Sequence, residues 1–274
     1  FIYRDRHLNK RKGRVLRMKV VILCGGRGLR MHELTEDMPK PMAPVCGKPM
    51  LLHIMKIYKH YGFDEFILLL GYKGEKIKEY FMDYPWKGHS FRLETRKSGY
   101  ELLEETESWK ITFLDTGLDT MTGSRIGRAR EYIGNETFMV TYGDGLSNVD
   151  INKLLAYHRE KGKLATVTGV DRKTQYGTLI VKDGLAESFR EKQSSSGIIN
   201  GGFFVFEPGF FNYLTHDTNC VLEQEPLCNL ALDGQLAVYL HEGFWTACDT
   251  YNDIVQANKL CEQGKDLWKV WEKA

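Results

Sequence analysis

Two hydrophobic patterns alternate along this chain. In one, apolar residues follow each other without interruption, as in Val20-Val21-Ile22-Leu23 and in the stretch Glu65–Leu70. Such runs suit strands buried on both faces of a sheet. In the other, apolar positions recur every three or four residues. Residues 50–61 place Leu51, Ile54, Met55 and Tyr58 on one helical face, and Gly62 follows as a stop. Strands are also predicted over residues 110–115, 137–142, 165–170, 178–181, 185–189, 202–206 and 236–241, and helices over 74–82, 151–161, 208–214, 221–232 and 252–263. Residues 116–130 begin as a turn-rich loop and become a basic helix with Arg125, Arg128 and Arg130. Residues 91–108 are charged and lack a period, which marks a variable insertion, and residues 244–250 read as a connection. The alternation predicts an α/β fold. A mostly parallel sheet is covered by helices, and the C-terminal half adds smaller β and helical elements. No internal repeat interrupts this order.

The formal net charge of +2 over 274 residues hides an asymmetry. Residues 1–17 hold seven Lys/Arg and one Asp, so they carry +6 and the rest carries −4. We read them as a basic, unstructured extension before a single domain over 18–274, with Met18 a natural first residue. Nucleic-acid binding through that stretch is the competing reading. No apolar run reaches the roughly 20 residues needed to span a bilayer, so no membrane association is expected. The six cysteines (24, 46, 220, 228, 248 and 261) show no metal-site or disulfide-framework spacing, which points to a reducing, cytoplasmic setting.

Candidate chemistry begins where the first strand ends. Gly25-Gly26-Arg27-Gly28 lets the backbone approach a ligand with its amides, and Arg30 and Lys40 supply cationic side chains nearby. That combination suits a polyphosphate. It is not a Walker A loop, because no Lys-Ser/Thr follows. The dinucleotide fingerprint fails as well, since Met31 stands at its third glycine and Pro39, Pro41 and Pro44 keep the connection extended. Two acids sit where parallel sheets bind ligands: Asp144, between Gly143 and Gly145 after a strand, and Asp249, beyond Phe244-Trp245. An aspartate between glycines equally suits a plain turn, and Glu191-Lys192 alone reads as a solvated pair.

The stretch Leu-Cys-Gly-Gly-Arg-Gly-Leu-Arg from Leu23, with Pro39-Lys40-Pro41-Met42 and Gly47-Lys48-Pro49, resembles the signature of the sugar-1-phosphate nucleotidylyltransferases. That resemblance implies a Rossmann-like nucleotidyltransferase fold. It also implies a nucleotide site built from Leu23, Cys24, Gly25, Gly26, Gly28, Leu29, Arg30, Lys40 and Gly143. Leu29 stands where the family usually has Thr. The family's Gly-Asp and Asp-Thr motifs match Gly143-Asp144 and Asp249-Thr250, which implies Mg²⁺ held by Asp144 and Asp249. Its Glu-Lys-Pro motif matches Glu191-Lys192, with Gln193 in place of the proline. Lys192 would hold the sugar phosphate and Glu191 a sugar hydroxyl. Tyr176-Gly177 and Asn200-Gly201 match further sugar-contacting segments.

Within the family the likeness is greatest to the branch that transfers a cytidylyl group. It rests on Gly71-Tyr72-Lys73-Gly74, Asp115-Thr116-Gly117, Met121-Thr122-Gly123, Thr141-Tyr142-Gly143-Asp144-Gly145 and Gly243-Phe244-Trp245, and it spans nearly all of 18–271. The branch's Met-Thr-Gly-Gly-Arg segment transfers nucleotide binding to Thr120 and Arg125, with Ser124 replacing its second glycine. The implied substrates are CTP and glucose 1-phosphate. The implied catalytic residues are Arg30, Lys40 and Lys192, and such enzymes are commonly homo-oligomers. Two alternatives stay open: the same chemistry on another nucleotide or acceptor, such as thymidylyl transfer, and a non-catalytic nucleotide-sensing subunit on the same fold.

Overall fold

The first apolar run becomes β1 (Lys19–Cys24), whose residues 20–24 are buried. In this computed structural model the described residues are 18–31, 36–95, 99–173, 178–182, 184–190, 196–215 and 217–272. The sheet strands that follow are β2 (Glu65–Leu70), β3 (Lys110–Asp115), β4 (Phe138–Tyr142), β5 (Ala165–Lys173), β6 (Thr178–Lys182), β7 (Leu185–Arg190), β8 (Ser196–Phe206) and β9 (Leu236–His241). Among the described residues they form one nine-stranded sheet in the order β5-β9-β7-β6-β8-β4-β1-β2-β3. β1 runs parallel to both neighbours, with Val21 opposite Ile67 on one side and Val140 on the other. β3 continues this parallel half beyond β2. β8 reverses direction, pairing antiparallel with β4 and with β5, and the C-terminal strands build outward from it. The carboxyl ends of β1 and β4 therefore lie side by side, where ligands bind in such sheets.

Seven α-helices are described: α1 (Met50–His60), α2 (Gly74–Lys87), α3 (Thr122–Arg128), α4 (Arg130–Ile133), α5 (Ile151–Lys161), α6 (Glu225–Leu232) and α7 (Tyr251–Glu262). Alternation along β1 explains why its run is apolar throughout. Val20 and Ile22 pack with Ile54, Met55 and Tyr58 of α1, Ile77 of α2, Leu154 of α5 and Ile254 of α7. Val21 and Leu23 face the other way, toward Ile126 of α3, Ile133 of α4 and Leu227 and Leu230 of α6. One strand thus feeds two helical layers.

Several bounds differ from the pattern. α2 continues to Lys87, with Pro85 in its last turn, where the missing N–H costs one bond beside a fraying end. The proline-rich connection holds a 3₁₀ turn over Lys40–Met42, since the fixed φ of Pro41 suits a first helical turn. α6 starts at Glu225 instead of 221, because Pro226 sets its first turn. The charged insertion contains a short hairpin, Phe91–Leu93 with Tyr100–Leu102. One cysteine pair departs from the reduced state expected of all six. Cys46 and Cys261 are joined, 215 residues apart, with Cα atoms 5.7 Å from each other.

His53 of α1 gives the fold a pH dependence. Its Nε2–H donates to the Val45 carbonyl at 2.8 Å, and its Nδ1 accepts from the Trp268 indole N–H at 3.4 Å. The second contact needs the neutral ring. Burial pulls its pKa down to about 4. An unfolded chain takes up this proton below its ordinary pKa near 6.5, whereas the folded one resists until about 4. Stability contributed by neutral His53 is thus complete above pH 6.5 and is lost as pH falls toward 4, about 3 kcal/mol in all. In urea unfolding at pH 7 and pH 4.5, His53→Gln should lose less stability between the two pH values than the parent chain. Equal losses would show that His53 titrates alike in both states.

Candidate active site

The site is assembled at the ends of β1 and β4. Leu23 and Cys24 close β1, and burial, followed by the Asp144 charge, pushes the Cys24 thiol well above its ordinary pKa. It stays a neutral thiol. Gly25, Gly26 and Gly28 then make the turn, Gly28 with φ +62°, and a short 3₁₀ turn covers Leu29–Met31. Gly143 follows β4 and donates its amide to the Leu23 carbonyl at 3.1 Å. A Cβ on Gly143 would stand 2.8 Å from Pro41 Cγ and 2.9 Å from the Leu23 oxygen. That contact seats the proline connection, and with it Lys40, directly against the end of the β4 strand.

A small ribbon carries the second acid to the first. Gly145–Ser147 pairs antiparallel with Trp245–Ala247, and the Cys248 amide donates to the Asp144 carbonyl at 2.9 Å. Asp249 comes next, just before α7. That helix begins with a capping box in which Asp253 Oδ2 accepts the Asp249 amide at 3.0 Å and the Thr250 amide at 2.7 Å. The cap fixes the backbone from which the Asp249 side chain projects.

Between the acids lies Lys40. Its Nζ is 2.5 Å from Asp144 Oδ2 and 2.6 Å from Asp249 Oδ1. Arg30 reaches the same Asp249 oxygen at 3.1 Å from a more exposed position. Burial alone would lower the Lys40 pKa, but the charges of Asp144 and then Asp249 outweigh it and leave it raised. Lys40 is therefore a cation held by two carboxylates at the mouth of the glycine turn.

Arg125 serves this site from beneath. It is 4% exposed. Its Nη1 donates to the Leu70 carbonyl, Thr116 Oγ1 and the Gly117 carbonyl, and its Nη2 donates to the carbonyls of Gly25 and Leu118. The guanidinium ties the ends of β1, β2 and β3 together. It also explains two glycines. A Cβ on Gly25 would lie 2.3 Å from the Arg125 guanidinium carbon, and one on Gly71 would lie 2.6 Å from the Gly25 oxygen. Thr120 is buried in the loop that leads into α3.

Of the residues that the resemblance assigns to the sugar, Asn200 and Gly201 lie on β8, and the Gly201 carbonyl accepts the Trp245 indole N–H at 2.7 Å. Gly202 takes φ +78°, and a Cβ there would meet the Tyr142 ring at 2.5 Å. These glycines make room for neighbours. A cavity of about 730 Å³ is lined among others by Gly169, Asp171, Ile198, Glu242, Phe244 and Trp245. Tyr176, Gly177, Glu191 and Lys192 lie outside the described residues.

The structure thus brings Arg30, Lys40, Asp144 and Asp249 into one cluster and sets Gly25, Arg125 and Gly143 against it. Gly71 was visible in sequence only as part of a family-like stretch. The same holds for Tyr142, whereas Glu223 carried no signal, since a glutamate before a helix is ordinary.

A family model described as nucleotidyl transferase matches residues 19–264. The chain is 59% identical to a probable glucose-1-phosphate cytidylyltransferase of Bacillus subtilis, over 93% of this chain and all of that protein. It is 42% identical to the glucose-1-phosphate cytidylyltransferase of Salmonella typhimurium, over 93% of this chain and all of that one. Among solved structures, HddC from Yersinia pseudotuberculosis superposes with a TM-score of 0.71 at 25% identity, over 90% of this chain and all of that one.

Proposed function

The chain belongs to the nucleotidyl transferase family, and on that premise we propose that it transfers a cytidylyl group from CTP to α-D-glucose 1-phosphate, giving CDP-glucose and pyrophosphate. The full-length identity to cytidylyltransferases of this specificity supports the choice of nucleotide and acceptor. The observation that carries the chemistry is the convergence of Asp144 and Asp249 on Lys40 beside the glycine turn. A phosphate oxygen of glucose 1-phosphate attacks the α-phosphorus of CTP in line. The bond from that phosphorus to the bridging oxygen breaks, and pyrophosphate leaves with the electron pair. Such a transfer needs alignment and charge neutralisation more than an acid or a base.

In this reading the amides of the glycine turn, with Arg30 and Lys40, receive the triphosphate. Lys40 moves its charge from the carboxylates toward the phosphates as CTP arrives. Two converging carboxylates with hard oxygen donors fit a divalent cation, Mg²⁺ by preference. Asp144 and Asp249 would hold it, and when bound it would neutralise charge on the reacting phosphates. Lys192 would anchor the sugar phosphate and Glu191 a sugar hydroxyl, with Tyr176-Gly177 and Asn200-Gly201 completing the acceptor side.

Pyrophosphate release measured over a panel of nucleoside triphosphates and sugar 1-phosphates tests this. CTP with glucose 1-phosphate should exceed every other pair in kcat/KM by about tenfold or more, a difference worth about 1.4 kcal/mol. A higher value for thymidine triphosphate, or for another sugar phosphate, would replace the reading. Release with no pair at all would leave a nucleotide-sensing protein.

A further inference from the structure

Glu223 lies in the connection before α6, in a part of the chain to which neither motif nor comparison gives a role. Its Oε1 accepts a short hydrogen bond from the Tyr142 hydroxyl, and its Oε2 accepts from Thr122 Oγ1 at 2.8 Å. Each partner is itself held. Thr122 Oγ1 accepts the Leu222 amide at 2.8 Å, so its one proton points to Glu223. The Tyr142 oxygen accepts from Asn200 Nδ2 at 3.1 Å, so its one proton also points to Glu223. At the far end Asn200 Oδ1 accepts the Gly202 amide at 2.8 Å, which fixes the side-chain amide in one orientation. Every donor in the relay runs toward the carboxylate, from Asn200 through Tyr142 and from Leu222 through Thr122. Burial, then the Glu223 charge, raises the Tyr142 pKa well above the ordinary tyrosine range, so the phenol keeps its proton and stays the donor.

The three elements joined in this way border the site. Tyr142 is two residues before Asp144, at the end of β4. Thr122 opens α3, the helix that carries Arg125. Asn200 lies on β8, two residues beyond Ile198, which lines the 730 Å³ cavity. Neutral acceptors would also satisfy these hydroxyls, but only a carboxylate takes both protons and imposes one direction on the whole chain of bonds.

We propose that Glu223 is a positioning residue for the acceptor sugar phosphate, acting through Tyr142 to orient the Asn200 amide and to hold β8 against α3. This rests on the reading of the cavity side as the acceptor side. Glu223 touches no substrate in this role, and its loss acts on the acceptor while the CTP phosphates keep their own ligands, Arg30, Lys40 and the glycine turn.

The test uses Glu223→Ala, Glu223→Gln, Tyr142→Phe and the Ala/Phe double variant of the full chain. Steady-state kinetics in glucose 1-phosphate are combined with calorimetric titration of CTP in the absence of sugar. Glu223→Ala should raise KM for the sugar phosphate roughly tenfold, the worth of one charge-assisted hydrogen bond, and shift the Kd for CTP by less than about threefold. Glu223→Gln keeps one acceptor and should recover part of the loss. Tyr142→Phe should match Glu223→Ala, and the double variant should be no worse than the weaker single, since both break one relay. Tyr142→Phe removes a single oxygen and carries the test if the Ala variant fails to fold. An unchanged KM, an equal loss of CTP affinity, or additive effects would overturn the proposal. If the parent chain turns over a different substrate pair, the function reading falls, and the same variants are read against the sugar phosphate that the panel selects.

Discussion

Asp144→Asn and Asp249→Asn should each lower kcat by about two to three orders of magnitude, the scale seen when a preorganised electrostatic partner of a transferring phosphoryl group is removed. The two carboxylates act as one unit, because both grip the same ammonium in this structure and would grip the same divalent cation in catalysis. The double variant should therefore be scarcely slower than either single. Asparagine keeps the shape, and one carboxylate still faces Lys40, so thermal melting should move by only a few degrees or less. Titrating Mg²⁺ sharpens the result. The parent chain should lose turnover in EDTA and regain it with metal, while the variants should need far more metal for whatever activity remains. Near-parental kcat in either single variant at saturating Mg²⁺ would remove these acids from the mechanism. Turnover indifferent to EDTA would remove the metal.

Arg125→Met should damage stability and nucleotide binding together. Sequence resemblance puts Arg125 among the nucleotide ligands. In the structure its guanidinium is spent on the carbonyls of Leu70, Gly117, Gly25 and Leu118 and on the Thr116 hydroxyl. Burial, then the neighbouring Arg128 charge, lowers its pKa from the ordinary arginine value. A methionine of similar reach removes all five of these bonds; the Leu70 and Gly25 carbonyls keep the Thr116 and Tyr72 amides, while those of Gly117 and Leu118 lose the Arg125 donor. Leaving buried acceptors unsatisfied costs about 1–3 kcal/mol each, a large part of a typical domain's 5–15 kcal/mol. Arg125→Lys keeps the charge but cannot fork between the strand ends, so an intermediate loss is expected. Gly71→Ala should mimic it mildly, since the new Cβ would crowd Arg125 Nη1 at 2.7 Å and the Gly25 oxygen at 2.6 Å. Urea unfolding and CTP titration read both effects. If Arg125→Met unfolds at the parental urea concentration yet loses CTP, the residue is a direct ligand and the scaffold role is wrong. If it keeps both, it is neither.

What the sequence determined by itself was local. The uninterrupted run at β1 and the period of α1 fix element type, because burial on two faces or on one stripe is a property of neighbouring residues. Glu65–Leu70, Lys110–Asp115 and Leu236–His241 appear in the structure at their expected bounds. The glycine turn was legible for the same reason, since it needs only small residues after a strand. The two acids were visible as strand-end aspartates, but their pairing came from resemblance, because nothing in their spacing says that the ribbon of Gly145–Ser147 with Trp245–Ala247 will join them. The tertiary structure alone decided that Lys40 would bridge them, that Arg125 would bind backbone instead of facing open space, that Cys46 would meet Cys261, and that Glu223 would gather Tyr142 and Thr122. Each is a meeting of side chains far apart in sequence, set by strand order and by helices packing on opposite faces. Hydrophobic period encodes which face is buried. It does not encode which distant residue lies across from it.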